Sequence, residues 1–273
     1  MSEALMRLVR HVRPGMRVLL PVDYAGVAMA LTRPLIAHLS AQGGAGLHLI
    51  CVPTGGLQAD LLIGAGLVAS IETSAMSLGE AGGAPQFNQA VKEGRIALRD
   101  ATCPAIHAGL MAAQKGVPFL PMRGLIGSDV LRHRPDWKVI DNPLSDTPDP
   151  IALIPAIQAD VAIFHVPLAD RDGNVRIGRR RELAAMAYAA KTTLVTAEKI
   201  TETSLLSDEV SAAGVLPALY VTEVAEAREG ARPYGLWGQY SGDTQELIRY
   251  AKMARSPQGF ADYLAGYMGG AAV

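Results

Sequence analysis

Cysteine, aromatic residues and net charge are all scarce in this chain. Of its 273 residues, 2 are cysteine and 5% are Phe, Trp or Tyr. Cys51 and Cys103 are too far apart, and too few, for a disulfide framework or a zinc site. Such a chain suits a reducing cytoplasm, which is the expected location. Lys and Arg number 25 against 26 Asp and Glu, leaving a net charge of −1. A duplex binder would carry a basic stripe to displace counterions, so no nucleic-acid partner is expected. The one basic run, Arg179, Arg180 and Arg181, reads as the solvated start of a helix. No apolar run approaches the ~18 residues that span a bilayer. The stretch MSEALMRLVRHVRPGMRV reads as an amphipathic helix broken by charges, not as a secretion signal. No membrane association is expected.

Several catalytic signatures are missing as well. There is no Walker-type phosphate loop and no Gly-x-Ser-x-Gly elbow. GAGLVAS (64–70) has two glycines of a dinucleotide fingerprint but lacks the third and leads into a strand. The six histidines show no metal spacing, so no metal site is expected. His165, inside an apolar run, reads as a hydrogen-bonded core residue.

What is present is 49% hydrophobic residues and 28 glycines, arranged as apolar runs alternating with helical periods. MRVLLPV (16–22), LHLICVP (47–53), LVASIETSAMSL (67–78), VPFLP (117–121), DVAIFHVPL (160–168), TTLVTAEKI (192–200) and ALYVTEV (218–224) read as strands. Helical patterns lie between most of them, and Pro85, Pro104 and Pro257 sit where helices should begin. The alternation predicts an α/β fold. Its core is a single doubly wound, mostly parallel sheet with helices on both faces, in one domain over 1–273. Ligands in such folds lie beyond the carboxyl ends of the strands. That directs attention to the loops at 20–27, 53–57, 76–85 and 121–129.

Two of these regions carry candidate chemistry. GEAGGAP (79–85) offers Gly82 and Gly83 for close backbone approach, Glu80 as a carboxylate, and a helix start that favours negative charge. A plain turn would explain the same glycines. Ser77, just before the loop, is able to hydrogen-bond a carboxylate or carbonyl. DATCPAIHAG (100–109) places Cys103 one helical turn from His107 at the start of a helix, where a thiol can be activated. Small cysteines are nevertheless more often simply buried.

The order of ADLLIGAG (59–66), GAPQFNQAVKEGRI (83–96), GLMAAQKGVPFLPMRGLIGSD (109–129) and ADVAIFHVPLADRDGNV (159–175) resembles the A subunit of family I CoA-transferases. The nearest branch is that of glutaconate CoA-transferase, and the likeness covers about the first 200 residues. GVPFLPMRG and ADRDGN are its most specific pieces. The resemblance implies a heteromer whose active site lies between two α/β subunits, A and B, with the nucleophilic glutamate on the CoA-transferase B subunit. It implies acyl-CoA and a small carboxylic acid as substrates, and no tightly bound cofactor. Tyr24, Gly26, Ser77, Gly82, Gly83, Arg123 and Gly124 are then the expected substrate-binding residues, with Asp23, Glu80 and Cys103 as the catalytic candidates.

One departure stands out. Where many members have a Gly-Gly-Phe-like segment after the first strand, this chain has PVDYAG (21–26). A carboxylate at Asp23 opposes a nearby oxyanion unless it is paired or protonated. This favours relatives that run other CoA-thioester chemistry on the scaffold, namely ring-opening hydrolysis or decarboxylation. In the ring-opening relatives an A-subunit glutamate falls about where Cys103 stands. A non-catalytic binding subunit is the remaining alternative.

Overall fold

The computed structural model describes residues 2–44 and 46–269. The expected domain limits, 1–273, thus include a few residues outside the described ones. The strands in chain order are β1 (Arg17–Pro21), β2 (Leu47–Val52), β3 (Val68–Thr73), β4 (Ala97–Asp100), β5 (Phe119–Met122), β6 (Lys138–Asp141) and β7 (Pro150–Pro155). They continue with β8 (Ala159–Val166), β9 (Ala169–Asp170), β10 (Val175–Arg176), β11 (Ala190–Ala197), β12 (Ile200–Thr201), β13 (Val215–Leu216) and β14 (Glu223–Glu226).

The main sheet has seven strands in the order β14-β11-β8-β1-β2-β3-β4, and every pairing in it is parallel. Side chains alternate across it as the two-residue period of a strand requires. Val18 and Leu20 enter one apolar cluster, while Leu19 enters the other. Along β2, Leu49 and Cys51 face the first cluster and Ile50 and Val52 the second. Helices Thr32–Ser40, Leu57–Gly64, Thr244–Met253 and Pro257–Gly269 cover one face, and Cys103–Gln114 and Arg181–Ala189 the other. Each fully buried leucine contributes about 1.5–3 kcal/mol, and Leu19, Leu35, Leu49 and Leu61 are all in that state. The expected α/β fold with a doubly wound parallel sheet is therefore what the chain adopts. Among the described residues, no helix is long and apolar enough to cross a membrane.

Local signals set the helix ends. Thr102 caps helix Cys103–Gln114 by accepting a hydrogen bond from the Ala105 N–H at 3.3 Å, and Pro104 lies in the first turn. Pro85 opens helix Pro85–Lys92 as expected. Asp243 caps helix Thr244–Met253 by accepting from the Glu246 N–H at 3.0 Å. The Glu246 carboxylate accepts from Arg249 and Tyr263.

Three differences from the sequence expectations matter. Two small sheets, β12-β9-β10-β13 and the antiparallel β5-β7-β6, accompany the main one. VPFLP does form a strand, β5, but it pairs with β7 in the antiparallel sheet, so the 121–129 loop does not lie at an end of the main sheet. Within ALYVTEV, Ala218–Tyr220 is a 3-10 turn and only the end joins β14.

β1 lies between β2 and β8, so the chain winds away from it in both directions. The crevice beyond the carboxyl ends of β1 and β8 is the topological switch point, where such sheets place their ligands.

Candidate active site

β1 leaves the sheet through the 3-10 turn Asp23–Ala25 and reaches Gly26 at φ +92°. The Gly26 carbonyl accepts the His165 N–H of β8 at 2.7 Å. A Cβ on Gly26 would collide with the His165 carbonyl oxygen and press on the Trp237 ring. Glycine here lets the PVDYAG loop lie directly against β8, with a backbone conformation side chains avoid. The result is a cleft of about 630 Å³ lined by Asp23, Tyr24, Arg180, Tyr234, Trp237 and Tyr240.

Asp23 is half-buried, and that burial pushes its carboxyl above the ordinary range despite hydrogen bonds from the Tyr24 N–H and its own. Tyr24 is 67% exposed. Its hydroxyl is shifted upward by desolvation first, then by the charges of Glu182, Asp23 and Cys103. Arg180, just before helix Arg181–Ala189, lays its guanidinium 3.7 Å above the centre of the Trp237 ring. The triple arginine is therefore not a uniformly solvated turn: Arg179 and Arg181 are exposed, but Arg180 is half-buried in the cleft.

Cys103 is exposed at the first position of its helix, with its Sγ 3.1 Å from the Ser74 hydroxyl. Ser74 also hydrogen-bonds the Pro53 carbonyl at 2.9 Å. Among the described residues, no hydrogen bond joins Cys103 to His107. The spacing that suggested a thiol and its base therefore gives no such pair. Cys51 is fully buried, and burial pushes its thiol up to about 12, which leaves it inert.

The glycine loop is occupied with itself. Ser77 Oγ accepts from the Gly79 N–H at 3.0 Å and lies 3.5 Å from the Gly82 carbonyl, which accepts the Leu78 N–H at 2.7 Å. The following helix does attract an anion, but that anion is this chain's own Asp60. The Asp60 carboxylate accepts from the N–H groups of Gln86 (3.2 Å) and Phe87 (2.7 Å) and from the Tyr250 hydroxyl (2.6 Å). Glu80, Gly82 and Gly83 are exposed and, among the described residues, make no hydrogen bond or ion pair with Asp23, Tyr24 or Cys103. Arg123 follows β5, and Asp149 holds it bidentately at 2.8 and 2.6 Å. That guanidinium, with Asn142, keeps the Asp149 carboxyl near a pKa of about 2. Gly124 is exposed beside it. The structure therefore gathers Asp23, Tyr24 and Gly26 at the switch point, and places Cys103 beside Ser74, just past the end of β3. It gives Ser77 and Gly82 partners within their own loop, and Arg123 a partner in Asp149.

A second wall of the cleft comes from residues 234–241. Glu198, one residue past β11, accepts the Glu229 N–H on one oxygen at 2.7 Å. On the other it meets the Tyr240 hydroxyl (2.6 Å), the Gly230 N–H (3.1 Å) and His165 Nε2 (2.7 Å). His165 Nδ1 reaches Thr196 at 2.8 Å, so the buried histidine is hydrogen-bonded on both sides, as expected of a core residue. Burial alone would raise the Glu198 carboxyl. The His165, Tyr240 and Glu229 donors outweigh it and bring the pKa down to about 2. Arg180, Glu198, Trp237 and Tyr240 escaped the sequence reading. A visible signal was YGLWGQY (234–240), with Tyr234, Trp237 and Tyr240 crowded together in an aromatic-poor chain.

Among the described residues, no group of three or more His, Cys, Asp or Glu side chains is placed to hold a metal ion. With this geometry in view, the likeness to known proteins becomes specific. A family model described as coenzyme A transferase matches residues 3–227. The A subunit of glutaconate CoA-transferase from Acidaminococcus fermentans is 31% identical over 258 residues, 87% of this chain and 76% of that one. The crystal structure of glutaconate coenzyme A-transferase from the same organism superposes with a TM-score of 0.88 at 26% identity, over 97% of this chain and 87% of that one. The cholesterol ring-cleaving hydrolase IpdA subunit of Rhodococcus jostii is 31% identical over 230 residues, 81% of this chain and 78% of that one. A crystal structure of a variant of the decarboxylase AibA/AibB superposes with a TM-score of 0.81 at 26% identity, covering 96% of this chain and 97% of that one. An uncharacterized protein of Archaeoglobus fulgidus is 32% identical over 215 residues, 77% of this chain, and the match spans 47% of that protein. The chain belongs to the coenzyme A transferase family. Its likeness is to the A subunits, as GVPFLPMRG and ADRDGN implied.

Proposed function

We propose that the chain, acting as one domain over 1–273, is the A subunit of a heteromeric CoA-transferase that moves CoA between small carboxylic acids. The observation that carries this reading is the half-built site at the switch point. Asp23, Tyr24 and Arg180 line a cleft, yet the exposed thiol of Cys103 has a serine for a neighbour and, among the described residues, no hydrogen bond to a base. A glutamate of the partner B subunit completes the chemistry. It attacks the acyl-CoA carbonyl and releases CoA thiolate, leaving an acyl-glutamyl anhydride. The thiolate then attacks the glutamyl carbonyl of the anhydride, freeing the donor acid and forming an enzyme–CoA thioester. The acceptor carboxylate takes over in the mirror-image steps. Each step passes through an oxyanion, and the Asp23 carboxyl, which burial shifts above its ordinary range, has an O–H to donate to that charge whenever it is protonated. CoA enters as substrate, with no tightly bound cofactor, and the two unpaired thiols support a cytoplasmic location.

The same half-buried acid supports a second reading, in which Asp23 acts as general acid or base for CoA-thioester hydrolysis, by analogy with the hydrolase name of the Rhodococcus relative. Assays of the purified chain, alone and co-expressed with its partner, test the proposal. CoA transfer is expected only from the pair; steady turnover by the chain alone would overturn it.

A further inference from the structure

Arg180 has no counter-ion among the described residues. No carboxylate lies within 4 Å of its guanidinium, although Asp23 shares its cleft and Glu182 is two residues along the chain. Its Nε is buried and has no hydrogen-bond partner. Both features are costly for a half-buried cation, and stacking on Trp237 offsets only part of that cost. A guanidinium held 3.7 Å over an indole is also restrained in position, and its donors lie in the one plane of the guanidinium group.

We propose that Arg180 is the specificity-determining residue of the cleft, receiving a free carboxylate at the far end of the acyl group. This rests on the reading of the cleft as an acyl-CoA site. Planar carboxylate matches the planar fork of arginine. The lining favours this ligand over the phosphates of CoA. Arg180 is the only basic residue among the described residues that line the cleft, and one guanidinium matches a single carboxylate, not the several charges of the CoA phosphates. Tyr24, Trp237 and Tyr240 present aromatic surface suited to a short carbon chain leading up to the guanidinium.

The test compares glutaryl-CoA, pentanoyl-CoA and CoA itself, which separate the terminal carboxylate from the carbon chain and from the phosphates. Each is titrated calorimetrically into the co-expressed pair, with this chain as wild type, Arg180→Gln or Arg180→Met. The methionine keeps apolar packing on Trp237 where the glutamine does not. Wild type is expected to prefer glutaryl-CoA over pentanoyl-CoA, and both variants to lose about tenfold or more in glutaryl-CoA affinity while affinity for the other two is unchanged. Equal losses for all three ligands would assign Arg180 to the CoA moiety and overturn the inference. So would unchanged glutaryl-CoA affinity. If the Arg180-dependent preference appears but the pair transfers no CoA, the inference stands and the transferase reading falls; transfer without the preference gives the reverse.

Discussion

Replacing Glu198 by glutamine removes one charge and changes little in volume, yet it should loosen a whole wall of the cleft. The carboxylate ties residues 229–240 to the ends of β8 and β11 through four donors. Glutamine keeps a single acceptor oxygen and turns an NH2 group toward N–H or O–H donors. The drop in pKa from 4.5 to about 2 corresponds to about 3 kcal/mol, at roughly 1.4 kcal/mol per unit. The side chain is only 12% exposed, so solvent screening takes little from that figure. Because the folded-state pKa is depressed, this stability is fully present above the unfolded-state value near 4.5. It is lost as pH falls toward about 2. Urea unfolding of wild type and Glu198→Gln should therefore differ by about 2–3 kcal/mol at pH 7, and the gap should narrow between pH 4.5 and pH 2. In the paired enzyme, KM should rise more than kcat falls. A gap below about 0.5 kcal/mol, or one that does not change with pH, would refute the role given to the carboxylate.

Gly26→Ala sets a methyl group against the His165 carbonyl at a positive φ. It should lower stability by at least about 2 kcal/mol in thermal unfolding, and a change below about 0.5 kcal/mol would contradict the close approach of the two loops. Asp23→Asn should reduce kcat by about tenfold or more, about 1.4 kcal/mol in the barrier, while leaving unfolding within about 0.5 kcal/mol of wild type. Parallel losses in both would make Asp23 structural. Cys103→Ser should fold and keep most activity with at most a modest rise in KM, since among the described residues the thiol's hydrogen-bond neighbour is the Ser74 hydroxyl and not a base. Loss of turnover with binding intact would make it a catalytic group.

The parallel sheet was legible because its central strands are short apolar runs bounded by turn residues, and β1, β2, β8 and β11 fall where those runs do. Strands β4 and β6 were not, because ALRD and KVID are exposed at every position and carry no burial pattern. The antiparallel β5-β7-β6 sheet was missed for a related reason: its proline-containing segments are too short to indicate their pairing partner. PVDYAG stood out in the sequence because a loop after the first strand of such a fold has a defined place. Its neighbours did not. His165 and Thr196 are register partners on β8 and β11, and Glu198 follows two residues later, a relation that exists only once those strands pair. Likewise Arg180 and Trp237 are far apart in sequence and meet only in the folded chain, whereas the anion-seeking helix start after the glycine loop was legible but its occupant, Asp60, was not.

The most direct test of the account is where the covalent intermediate forms. The two-subunit enzyme is incubated with acyl-CoA, trapped with hydroxylamine or reduced with borohydride, and both chains are digested for mass spectrometry. A modified glutamate on the partner subunit, with Asp23, Glu80 and Cys103 of this chain unmodified, is the predicted result. An acyl, hydroxamate or CoA-derived adduct on any of those three residues would contradict the assignment of the nucleophile to the partner.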